Sequence, residues 1–134
     1  MKLLVDTNLF LEVILRQERM EEARAVLSAY DRHELLVSDF TVHSIGVLLF
    51  REGMHDAFER FISDTLLEAG MFTVSLSPKD MEAVSGVARR FKLDFDDAYQ
   101  YVVAQKHDLT IVSFDRDFDR TELGRKTPGK ILET

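Results

Sequence analysis

The chain has 134 residues, 46% of them apolar, a length and composition that fit one ordered domain and exclude a disordered segment. With no Cys, it has no disulfides, no thiolate chemistry and no Cys-based zinc site. A net charge of −7 argues against a general nucleic-acid binder, because phosphate contacts need Lys and Arg.

Residues 2–5 read as a short buried strand. The stretch Met1 to Asp6 reaches an acid too soon for a signal-peptide core, and no apolar run approaches a membrane span, so the cytoplasm is the expected location. A helix is predicted from near Asn8 to Arg16, and a second over 21–30 with Ala23, Val26 and Leu27 on one face. Residues 35–38 read as a strand. Asp39 or Thr41 would cap a third helix running to about Arg51, and 56–69 reads as a fourth, amphipathic helix ended by Gly70. Met71 to Leu76 alternates as a strand does. Ser77-Pro78 is a strong helix start, with Met81, Val84, Val87, Ala88 and Phe91 forming the buried face. A sixth helix covers 96–107, and 109–113 is an apolar, β-branched strand. Residues 130–132 are expected to form a last edge strand. Strands alternating with helices imply an α/β fold with a parallel sheet covered on both faces, and nothing in 1–134 suggests a second domain.

Three aspartates stand where the chemistry of such folds gathers, at the carboxyl ends of strands. Asp6 ends the first strand, Asp115 lies just past the fourth, and Asp97 lies in the first turn of a helix. Each also has an ordinary explanation: a helix cap for Asp6, a dipole partner for Asp97, a turn residue for Asp115. Brought together, they would repel one another, and a bound Mg²⁺ or Mn²⁺ would remove that cost and could activate water and polarise a phosphate. Residues 1–87 carry 15 acids and 8 bases, whereas 88–134 carry 9 of each, so a local basic rim including Arg116 and Arg120 could meet RNA.

These residues sit in recognisable motifs. Leu3-Leu4-Val5-Asp6-Thr7-Asn8 resembles the first motif of PIN domains. Asp97-Ala98-Tyr99-Gln100 resembles the third, an Asp-Ala opening a helix. Ser113-Phe114-Asp115-Arg116-Asp117-Phe118 resembles the fourth. The resemblance spans essentially the whole chain, and small members of the family include VapC-type toxins of toxin–antitoxin pairs. It implies a Rossmann-like sheet of four to five strands with helices on both faces, and a Mg²⁺- or Mn²⁺-dependent ribonuclease, a hydrolase. Asp6 and Asp97 would be the principal metal ligands and Asp115 the third, supported by Asn8 and Ser113, with Asp117 a weaker candidate. A toxin-like role would bring an antitoxin partner, and the apolar residues Val47, Leu48, Leu49, Phe50, Phe58 and Phe61, more than one buried face needs, are expected to form a homodimer or antitoxin groove.

The second motif departs from the family. Its Glu is replaced by Ser44, with His43 beside it. His43 could be a ligand or base, but its ordinary role is a partly buried, hydrogen-bonded side chain. Asp39 and Glu52 are off register, and Asp96 points about 100° away from Asp97 on a helix. The alternative is therefore a degenerate PIN fold serving as an RNA- or protein-binding module. A receiver-like phosphoacceptor domain is a poor fit, because the third strand ends in Ser75-Leu76-Ser77 without an acid.

Overall fold

The computed structural model describes all 134 residues. Four strands, β1 (Lys2–Val5), β2 (Glu34–Ser38), β3 (Phe72–Val74) and β4 (Thr110–Val112), form one parallel sheet in the order β3-β2-β1-β4. Seven α-helices surround it: α1 (Thr7–Ile14), α2 (Met20–Leu27), α3 (Asp39–Arg51), α4 (His55–Phe61), α5 (Pro78–Phe91), α6 (Phe95–His107) and α7 (Pro128–Leu132).

Strand residues alternate between two cores. Leu3, Val5, Leu35, Val37 and Val112 face one, against α1 to α4. Leu4, Leu36 and Ile111 face the other, against α5 and α6. A strand covered on both sides must be apolar at nearly every position, which is why the short runs Leu3-Leu4-Val5 and Leu35-Leu36-Val37 were legible as strands. Chain order reverses at β1: β2 and β3 extend the sheet one way and β4 pairs on the other side. That reversal is the switch point at which α/β sheets open a crevice.

The structure corrects three expectations. Neither Asp39 nor Thr41 caps α3: Ser38 does, accepting from the Thr41 amide at 3.1 Å. The segment 130–132 is not an edge strand. Thr127 caps the short helix α7 by accepting from the Lys130 amide at 3.2 Å, and Pro128 occupies its first turn. Thr-Pro thus acts here as Ser77-Pro78 does at α5, and the apolar Ile131 that suggested a strand is buried against the first core. The single helix expected over 56–69 begins at His55 and changes at Ile62 into a π-helical segment, Ile62–Glu68, in which the Ala69 amide reaches back to the Asp64 carbonyl at 3.0 Å. A π turn admits extra residues, so the 3.6-residue spacing that linked Phe61 to Leu66 is not kept. Sheet pairing beyond β4 is limited to one bridge, Val112 with Lys126.

Candidate active site

Register builds the first half of the site. Val5 pairs with Val112, so the next residue on each strand, Asp6 and Ser113, emerge side by side at the carboxyl edge. Ser113 Oγ donates to Asp6 Oδ2 at 2.6 Å. Asp6 also caps α1, accepting from the Thr7 amide at 2.9 Å, and its Oδ1 accepts from Gln100 Nε2 at 3.0 Å. Asn8 Nδ2 donates to Ser113 Oγ at 3.1 Å and lies 3.4 Å from Asp6 Oδ2. Four donors therefore converge on one buried carboxylate. Burial pushes the Asp6 pKa up, and the hydrogen bonds from Gln100, Ser113 and Thr7 oppose it.

The second half comes from α6 and the segment after β4. Asp94 caps α6 by accepting from the Asp97 amide at 3.1 Å, which leaves the Asp97 carboxylate free to point into the crevice. Asp115 starts a 3₁₀ turn, Arg116–Arg120, accepting from the Asp117 amide at 2.8 Å. Carboxylate oxygens of Asp97, Asp115 and Asp117 all lie within 4.8 Å of one another. Desolvation, then the charge of Asp115 and a side-chain hydrogen bond with it, raise the Asp97 pKa to about 8, and the charges of Asp94 and Asp6 push the same way. No cationic side chain touches Asp97. Asp117 has one, Arg120, whose Nη1 donates to its Oδ1 at 3.0 Å.

The expected residues therefore divide. Asp97, Asp115 and Asp117 cluster, while Asp6 stands behind them with its oxygens engaged, tied to Asn8 and Ser113. Ser44 is half-buried on α3 and makes no side-chain hydrogen bond. His43 is exposed and lines an apolar groove with Val42, Gly46, Val47, Phe50 and Phe58. Asp96 is exposed, its pKa raised by partial desolvation and by Asp94. Asp39 is committed to Tyr99, whose hydroxyl donates to it at 2.7 Å, and Glu52 lies at the far end of α3. Arg116 is exposed. Arg120 donates to the Phe91 and Lys92 carbonyls as well as to Asp117, so it ties the 3₁₀ turn to the end of α5.

Two residues escaped the sequence reading. Gln100 is 1% exposed, and its amide bridges Asp6 to Thr41 Oγ1, each at 3.0 Å. Its Oε1 is buried without a partner. Thr41 in turn meets Ser38 Oγ and lies 2.8 Å from Thr7 Oγ1. A signal existed for Gln100: it follows Asp97 by three residues, so the two share a face of α6, and it is polar among apolar neighbours.

The geometry has the sequence relationship to match. Residues 3–123 match the PIN domain family model. The chain belongs to the PIN domain family. No curated protein matches it. Several solved structures share the PIN fold. A toxin–antitoxin complex from Klebsiella pneumoniae has a chain 22% identical, aligned over 93% of this chain and 96% of its own with a TM-score of 0.72. A protein from Pyrobaculum aerophilum is 22% identical over 98% of this chain and 93% of its own, with a TM-score of 0.70. A chain of VapBC2 from Rickettsia felis, bound to a DNA fragment from its promoter, is 12% identical over 95% and 98%, with a TM-score of 0.74. The fold thus persists where little of the sequence does.

Proposed function

We propose that residues 1–134 act as one PIN unit, a Mg²⁺- or Mn²⁺-dependent endoribonuclease that hydrolyses RNA phosphodiester bonds. The observation that carries this reading is the Asp97, Asp115 and Asp117 cluster, three carboxylates within 4.8 Å at the switch point of the sheet, with Asp97 lacking any cation of its own. The donor set fits a hard cation: all oxygen, no sulfur and no imidazole. Asp97, Asp115 and Asp117 would hold the ion, with Asp6 adding negative charge from behind. When bound, the ion supplies Lewis-acid polarisation of the phosphate and lowers the pKa of the attacking water.

The chain's own residues perform the rest. Asp97, whose pKa burial and Asp115 raise, would hold the cation with Asp115 and Asp117 in its deprotonated form, its proton released to solvent. Ser113, Asn8 and Gln100 hold Asp6 at a fixed angle, and Thr41 holds Gln100. Arg120 fixes Asp117 through the end of α5, so of the two arginines expected to meet RNA, Arg116 is the one free to do so.

Similarity to chains of toxin–antitoxin complexes supports a toxin role, with an antitoxin as partner. Val47 and Phe50 on α3 are 51% and 54% exposed beside the groove of about 480 Å³ that they line with Phe58, and this face would carry a homodimer or the antitoxin contact. Light scattering giving a strict monomer would remove the homodimer. No helix is long and apolar enough to cross a membrane. We place the protein in the cytoplasm, where such an enzyme would meet its RNA.

One observation favours a second reading. Ser44, without charge or hydrogen bond, stands where a fourth carboxylate would be, and metal affinity follows ligand charge. On that reading the fold binds RNA or protein without cutting. RNA cleavage with and without Mn²⁺, comparing wild type with Asp97→Asn, separates the two. Metal-dependent cleavage lost in the variant supports the enzyme; equal residual cleavage in both proteins is contamination and removes it.

A further inference from the structure

An enzyme of net charge −7 with an acidic crevice must still hold a polyanion, and few cations near the crevice are free to do so. Arg120 is bound to Asp117 and two carbonyls. Arg125 is paired with Asp119 and donates to the Ser113 carbonyl. Arg90 is paired with Glu122. Arg116 is exposed with nothing to fix its direction.

Arg19, at the start of α2, is different. Its guanidinium lies 4.9 Å from the centre of the Phe114 ring. It takes part in none of the chain's seven ion pairs. The nearby Glu12 carboxylate accepts instead from the Arg19 backbone amide at 3.0 Å, which fixes the turn that presents the side chain. Phe114 belongs to the site itself. It lies between Ser113, which holds Asp6, and Asp115; its amide donates to Asn8 Oδ1 at 3.3 Å, and its ring packs on the first core.

We propose that Arg19 is the phosphate-binding residue that seats the RNA backbone beside the acidic cluster, a role that rests on the ribonuclease reading. The guanidinium sits over the Phe114 ring and makes no side-chain hydrogen bond, which leaves its N–H donors free to grip a phosphate through two parallel bonds. The aromatic seat orders the side chain before substrate arrives, so less entropy is lost on binding. Lys cannot reproduce this, because an ammonium is a point charge without a plane to stack.

The test is binding of a labelled, mixed-sequence single-stranded oligoribonucleotide, followed by anisotropy against salt, in the non-cleaving Asp97→Asn background. Arg19→Ala should weaken binding by about tenfold and lower the slope of log affinity against log salt by about 0.7. Arg19→Lys should restore the slope without restoring the affinity, and Phe114→Leu should weaken binding with the slope kept. Arg51→Ala, an exposed arginine at the far end of α3, should change nothing. Arg19 is exposed, so its replacement should leave the melting temperature and its Mn²⁺ response in otherwise wild-type protein unchanged. Unchanged affinity and slope in Arg19→Ala would overturn the proposal, as would an equal loss in Arg51→Ala. If the parent protein shows no salt-dependent RNA binding, the ribonuclease reading falls and Arg19 with it; if it binds and Arg19→Ala binds equally, Arg19 alone is wrong.

Discussion

Asp6 and Asp97 are both buried aspartates at the same edge of the sheet, 6% and 7% exposed; burial raises the pKa of both, but their hydrogen-bonding surroundings differ. Asp6 accepts from Thr7 and Asn8 of α1, Gln100 of α6 and Ser113 just past β4, bonds that oppose the effect of burial on its charge. Asp97 has its backbone capped by Asp94 and its carboxylate left facing Asp115, and it keeps a proton up to about pH 8. Burial alone therefore does not distinguish an acid whose oxygens the protein engages from one whose carboxylate it leaves facing other carboxylates. The difference lies in where the hydrogen bonds go. Asp6 is satisfied by the protein; Asp97 is left to be satisfied by something else.

Replacing each residue in turn gives the sharpest contrast. Asp97→Asn should lower Mn²⁺-dependent RNA cleavage by more than about a hundredfold, the upper end of the loss seen when only a ligand's supporting partner is removed. The same change should raise the melting temperature of the metal-free protein, since it removes a repelling carboxylate. Asp6→Asn should act chiefly on stability. Its new amide would turn a donor toward Gln100 or Ser113, and the buried mismatch should cost about 1–3 kcal/mol in denaturant unfolding. Equal loss of stability in both variants would dissolve the distinction.

pH offers the next test. The pKa of Asp97 in the folded protein lies above its unfolded value of about 3.9. The folded state thus holds the proton more tightly, and the stability linked to it is present below about pH 4 and lost as pH rises through about 8. Thermal melts of metal-free protein should fall across that window, and the fall should shrink in Asp97→Asn, leaving the smaller part that the raised pKa values of Asp6 and Asp96 contribute. A smaller effect is expected at Arg120. Because it anchors Asp117 to the end of α5, Arg120→Ala should weaken Mn²⁺ binding by less than about tenfold. The salt slope of RNA binding should not move; a lower slope would return Arg120 to the RNA-contacting role that sequence suggested.

Much of the fold was readable because parallel strands and amphipathic helices write their burial into local pattern. Leu3-Leu4-Val5 and the face of α5 are clear cases. What failed was local pattern with a tertiary answer. Ile131 is apolar and β-branched in either a strand or a helix, and the Thr127 cap decided between them. The π segment after Phe61 follows no spacing rule that a sequence displays. The site was legible to the same depth. The motifs named Asp6, Asp97 and Asp115, yet their division of labour depends on Gln100, Ser113 and Arg120 arriving from distant parts of the chain. Asp117 was ranked low because sequence shows a turn residue, and the 3₁₀ turn that carries it toward Asp97 appears only when the chain folds. Arg19 carries no signal in the sequence because its partner, Phe114, lies 95 residues away.

Thermal melting with and without millimolar Mn²⁺, run on wild type, Asp97→Asn and Asp6→Asn, tests the cation site most directly. A cation held by Asp97, Asp115 and Asp117 predicts a clear rise for wild type, none for Asp97→Asn, and a reduced rise from a lower starting point for Asp6→Asn. No rise in wild type, or the same rise in Asp97→Asn, would contradict it.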